Sequence, residues 1–168
     1  LFSSAASDVY KRQPYGTEAL STLRIEMGHV AGSELDGRTI PYDASLEGLV
    51  SKKKDFIGKR SLNRSAFTST DREKLVGVVP IDKTTSIPEG SYIVKDPKAK
   101  LPNPKLGHVS ASCWSVEYDN PFSLAIIKDG KNMIGQKLFA MSPLKNKTIP
   151  VEIVSSHYVD PEGKRVRS

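Results

Sequence analysis

Apolar residues in this chain fall into two textures, a short helical stretch and then a series of small strands. Between residues 17 and 27, Ala19, Leu20, Leu23 and Met27 recur at helical spacing. Thr17 is placed to cap that helix, and Gly28 sits where a left-handed C-terminal residue belongs. Asp36-Gly37 is a turn signal, and Pro41 closes any strand before it. A second short helix is predicted over 42–49. Asp55 is placed to cap a third, running through Ile57, Leu62 and Phe67 and weakened by Gly58.

After Asp71 the pattern becomes β-branched and short. Strands are predicted at 75–79, 92–94, 108–115, 123–128, 137–141 and 149–154, with a turn at Pro88-Glu89-Gly90. Asp129-Gly130 reads as a hairpin-type turn, and Pro102 with Pro104 marks a loop. Such short strands, about ten residues apart, suggest a small closed or sandwiched β domain. The fold class expected is α+β, a short helical segment followed by an all-β remainder.

Composition narrows the function classes. Leu, Ile, Val and Phe make up 42 of 168 residues, enough to bury a core. The longest nearly apolar stretch, residues 75–81, is too short to span a membrane, so a soluble chain is expected. Cys113 is the single cysteine, which excludes an intramolecular disulfide framework and a thiolate metal cluster. It fits a reducing, cytoplasmic setting. His29, His108 and His157 have no metal-ligand spacing, and no metal is expected.

Residues 1–13, LFSSAASDVYKRQ, begin without Met and resemble translated adaptor sequence. They are set aside as a non-native leader, and truncation at the N-terminus is expected. Net charge is +6, and most of it is local. Lys52, Lys53, Lys54, Lys59, Arg60 and Arg64 face only Asp55 between residues 51 and 64. Such a patch suits an anionic ligand, an anionic partner surface or nucleic acid, or it is a solvated helix start.

No nucleophile elbow, phosphate loop or dinucleotide glycine fingerprint occurs. Cys113 and His108 lie five positions apart on a predicted strand, on opposite faces, so they are not expected to pair. Glu26 is the notable carboxylate. It lies near the end of its helix, where a negative charge opposes the macrodipole. Arg24, two residues away, does not share its face. Glu26 is either an exposed surface residue or an acceptor for a ligand edge with two adjacent N–H donors, such as a pterin or guanine. The lysine run could seat a multi-carboxylate tail or a phosphate chain. Phe56 alone accompanies it, so base stacking is poorly supported.

These residues also carry a resemblance. Residues 16–20 (GTEAL), 23–28 (LRIEMG), 36–41 (DGRTIP), 51–62 (SKKKDFIGKRSL), 107–112 (GHVSAS) and 123–127 (SLAII) look like the folate-binding aminomethyltransferase family of the glycine-cleavage T-protein. Within it, residues 51–62 and the ending 158–165 (YVDPEGKR) are most similar to the heterotetrameric sarcosine oxidase alpha-subunit branch. The resemblance covers about Tyr15 to the end.

It implies a three-subdomain fold around a tetrahydrofolate channel, with residues 14–70 ending the folate-binding central subdomain and residues 71–168 forming the C-terminal β-barrel. The family's pterin-binding glutamate falls at Glu26. Its tail-binding basic position falls at or near Lys54, beside Lys52 and Lys53, where T-proteins typically carry Arg. The family's catalytic aspartate has no counterpart here.

The implied chemistry is oxidative demethylation of sarcosine, with the one-carbon unit captured as 5,10-methylenetetrahydrofolate. FAD, FMN and NAD would belong to the complete complex with its beta, gamma and delta subunits. This piece is expected to be inactive alone. Alternatives are a T-protein, a dimethylglycine-type demethylase, a basic nucleic-acid-binding module or a purely structural barrel.

Overall fold

The computed structural model describes residues 15–99 and 104–167. The expected leader at 1–13 and Pro102 lie outside the described residues. Helix α1 spans Thr17–Glu26. Gly16 holds the capping position and no side chain closes the first turn, so Thr17 is a helical residue and not the cap. Gly28 does take a left-handed φ of 69°, and a Cβ there would lie 2.5 Å from the Ser156 carbonyl oxygen. Glycine is therefore required twice over, by backbone and by space.

The buried face of α1 differs from the predicted stripe. Leu20 and Leu23 stay about half exposed, at 51% and 52%, whereas Ile25 and Glu26 are buried. Only the last turn of the helix rests on the barrel, and contact rather than periodicity decides what is covered. The helix predicted over 42–49 is a series of turns with one 3-10 turn, Glu47–Leu49. The third predicted helix is broken into α2 (Lys59–Leu62) and α3 (Ser65–Thr68). Gly58, at φ 95°, holds the α2 cap position, and Asp55 caps nothing.

Strands β1 (Glu73–Pro80), β2 (Tyr92–Val94), β3 (Gly107–Ser115), β4 (Asn120–Lys128), β5 (Lys137–Ser142) and β6 (Lys147–Val154) lie close to their predicted positions. They close in the order β1-β4-β3-β2-β5-β6, every pairing antiparallel. Gly77 of β1 faces Leu124 on one side and Val154 on the other, which seals the ring. Closure removes the free edges that a six-stranded open sheet would expose.

Two apolar clusters follow from the strand alternation. Val78, Ile93, Val109, Ala125, Ile127, Val151 and Ile153 share the cluster that fills the barrel. Ile25 of α1 joins Leu75, Val79, Ala111, Phe122 and Leu124 on the outside. β4 is therefore buried on both faces. A bulge between Val109 and Ala111 shifts the alternation of β3.

The Asp129-Gly130 signal does not make a hairpin. Asp129 is left-handed and leads into a 3-10 turn, Gly130–Met133, whose Met133 joins the barrel core. β5 then pairs with β2 and β6 instead of β4. The signal fixed a local reversal, but burial of Met133 and the free edges of β2 and β6 fixed where the chain went next. Helix α4, Lys164–Arg167, ends the described chain.

Candidate functional site

Glu26 closes α1, and its exposure is only 6%, so it is not the exposed surface residue of the first alternative. Its main-chain oxygen accepts from the N–H groups of Tyr158 (3.1 Å) and Val159 (3.0 Å). Its side-chain Oε1 accepts from the Ser115 hydroxyl at 2.7 Å and the Val116 N–H at 3.0 Å. These donors offset the unfavourable helix-end charge and the cost of burying a carboxylate. Oε2 accepts from no side chain or backbone group among the described residues.

The C-terminal segment holds this corner in place. Tyr158 exchanges hydrogen bonds with the Asn120 amide, at 3.1 and 3.2 Å. Its ring stacks on Phe122 at 4.2 Å and 5°, and meets Tyr118 at 4.7 Å. Glu26 thus joins α1, the β3–β4 hairpin and the segment after β6.

Cys113 packs into the outer cluster beside this corner. Burial pushes its thiol up to about 12, and the charge of Glu26 adds to the shift. A thiol so protonated is no nucleophile near neutral pH. The bulge in β3 puts His108 on the outer face as well, in the wall of a cavity with Val30, Leu75 and Ile126. The expectation that Cys113 and His108 face opposite ways is therefore corrected. Five positions still separate them by about 15 Å along a strand.

Lys52, Lys53 and Lys54 lie exposed on the loop after the 3-10 turn. Ser51 Oγ accepts from the Lys54 N–H at 2.9 Å, and Lys59 Nζ donates to the Lys54 carbonyl at 2.8 Å. The three lysines share the wall of a depression of about 920 Å³ with Tyr42, Phe56 and Lys59. Glu26 is not among the residues that line this depression.

Sequence reasoning passed over a second polar cluster. Asp43, on the loop before β1, accepts from Arg72 and Lys74 and from the Ile40 N–H. Burial raises the Asp43 pKa, but those bonds outweigh it and leave the carboxyl below its usual range. Glu34 is similar. Burial opposes ionisation, yet the Ala31 N–H, which donates to Oε2 at 2.7 Å, and the nearby Arg24 help to hold its carboxyl below the usual range. Arg24 reaches Glu34 at 3.3 Å and does not contact Glu26. Among the described residues no cluster of His, Cys, Asp and Glu could hold a metal ion, and no helix is long and apolar enough to cross a membrane.

No protein-family profile matches the chain. The sarcosine oxidase subunit alpha of Rhizobium meliloti is 38% identical over 155 residues, covering 91% of this chain and 16% of that one. An aminomethyltransferase of Chloroherpeton thalassium is 32% identical over 129 residues, 75% of this chain and 33% of that protein. The glycine cleavage system aminomethyltransferase T of Bartonella henselae has the same fold, with a TM-score of 0.74 at 20% identity over 95% of this chain and 44% of that one. The chain therefore spans about a sixth of the oxidase subunit it matches.

Proposed function

We propose, from the premise that this chain is a homologue of sarcosine oxidase alpha subunits with a T-protein-like aminomethyltransferase fold, that it forms part of a folate-binding domain. There a one-carbon unit from the demethylation of sarcosine passes to tetrahydrofolate. Residues 14–70 end the folate-binding central subdomain, and residues 71–168 are the C-terminal barrel. The observation that carries this reading is Glu26, a buried carboxylate fixed through Oε1 with Oε2 left as an acceptor.

The donor chemistry fits the ligand. Oε2 suits the N–H edge of a pterin, and three ammonium groups without an ion pair among the described residues suit the carboxylates of a glutamate tail. Glu26 orients the ring, Lys52, Lys53 and Lys54 hold the tail, and neither group moves a proton. Tetrahydrofolate supplies the amine nitrogens that receive the one-carbon unit.

FAD, FMN and NAD, and the beta, gamma and delta subunits, belong to the complete complex. On this reading the chain is inactive alone, and its setting is cytoplasmic. The aminomethyltransferase relatives also support the coarser alternative, a T-protein piece acting on the same folate chemistry.

The test is titration of the chain with tetrahydrofolate and its triglutamate, in wild type and in the Lys52→Gln, Lys53→Gln, Lys54→Gln triple variant. The triglutamate should bind about tenfold more tightly, an advantage lost in the variant and at high salt. Equal binding of the two folates by the wild type would remove the lysines from the site.

A further inference from the structure

We propose, resting on the folate reading of Glu26, that Ser115 is the positioning residue of that site and that the ligand engages chiefly Oε2. Ser115 ends β3 and is fully buried. Its hydroxyl donates to Glu26 Oε1 at 2.7 Å and accepts from the Tyr118 N–H at 3.4 Å. The Val116 N–H donates to the same carboxylate oxygen at 3.0 Å.

A carboxylate oxygen has two lone pairs, and both at Oε1 are taken. The main chain of Glu26 is held as well, by Tyr158 and Val159. Turning the carboxylate would break two charge-assisted bonds at once. The group is therefore fixed before any ligand arrives, and little ordering remains to be done on binding. A ligand edge with two N–H donors finds one free oxygen, so its main contact falls on Oε2.

Ser115 also couples that oxygen to the hairpin turn. Val116 and Tyr118, which follow it, are 81% and 50% exposed. Through the Tyr118 N–H and the Ser115 hydroxyl, the shape of this exposed turn sets the aim of the buried carboxylate.

The experiment compares Ser115→Ala with Ser123→Ala in the full chain. Ser123 is equally buried and also hydrogen-bonded through its hydroxyl, to Ser112, but makes no hydrogen bond to Glu26. Two quantities are read, hydrogen exchange at the Val116 amide and the dissociation constant for tetrahydrofolate. Ser115→Ala should speed Val116 exchange and weaken binding about tenfold, and Ser123→Ala should change neither relative to its neighbours.

Unchanged Val116 exchange in Ser115→Ala would overturn the positioning role without reference to any ligand. Equal affinities of the two alanine variants, with Glu26→Gln still failing to bind, would overturn the role of Ser115 and leave the folate reading standing. Tetrahydrofolate binding that survives Glu26→Gln intact, or its absence in the wild-type chain, would overturn both.

Discussion

Asp43 gives the sharpest stability prediction. Its carboxylate accepts from Lys74 Nζ at 3.0 Å, from the Ile40 N–H at 3.1 Å and from Arg72, whose Nε lies 3.0 Å from Oδ1. Its own carbonyl accepts from the Leu75 N–H at 2.7 Å, so it fastens the loop to the start of β1. Asp43→Ala leaves the two cations without their partner. Removing one member of a buried pair costs about 3–5 kcal/mol.

The Arg72 and Lys74 side chains remain 20% and 18% exposed, and water can recover part of that loss. We expect about 2–3 kcal/mol, or a fall in Tm of roughly 5–10 °C for a chain of this size. The acid limb carries the second signature. The folded pKa of Asp43 lies below the usual value, so its contribution is present above the unfolded value near ~4 and is lost as pH falls through the folded one. Thermal unfolding of wild type and Asp43→Ala from neutral pH downward reads both effects. The variant should be less stable at neutral pH, with the gap closing in acid. Equal stabilities at neutral pH, or a constant gap down to the acid limit, would refute the reasoning.

Two further outcomes follow from the same corner of the fold. Phe122→Ala removes a fully buried ring stacked on Tyr158 and should cost about 3–5 kcal/mol, with faster amide exchange at Tyr158 and Val159 read by NMR. A stable variant with protected amides would contradict the docking described. The Cys113 thiol, pushed up to about 12, should react with a disulfide reagent near pH 8 far more slowly in the folded chain than in urea. Equal rates would show that burial does not control it.

The strands were legible because β-branched runs and turn signals agree locally, and the helix end was legible from Gly28. Glu26 stood out by position, a carboxylate at the wrong end of its helix. What could not be read was set by distant partners. Ser115 lies 89 residues from Glu26, and Arg72 lies 29 from Asp43, so neither pairing leaves a local pattern. The exposed face of α1 escaped for a related reason. Periodicity ranks positions around a helix but does not say which turn meets the barrel. Asp129-Gly130 failed as a hairpin signal because the route to β5 is decided by the open edges of β2 and β6.

The central claim is that Glu26 is a ligand acceptor as well as a structural corner. Calorimetric titration of the chain with tetrahydrofolate, in wild type and Glu26→Gln, tests it most directly. The amide keeps one oxygen acceptor for Ser115 and Val116 but replaces Oε2 with an N–H donor facing the ligand's own N–H edge. The account predicts binding in the wild type and a loss of at least about tenfold in a variant that remains folded. Equal heats and affinities in the two proteins would contradict it.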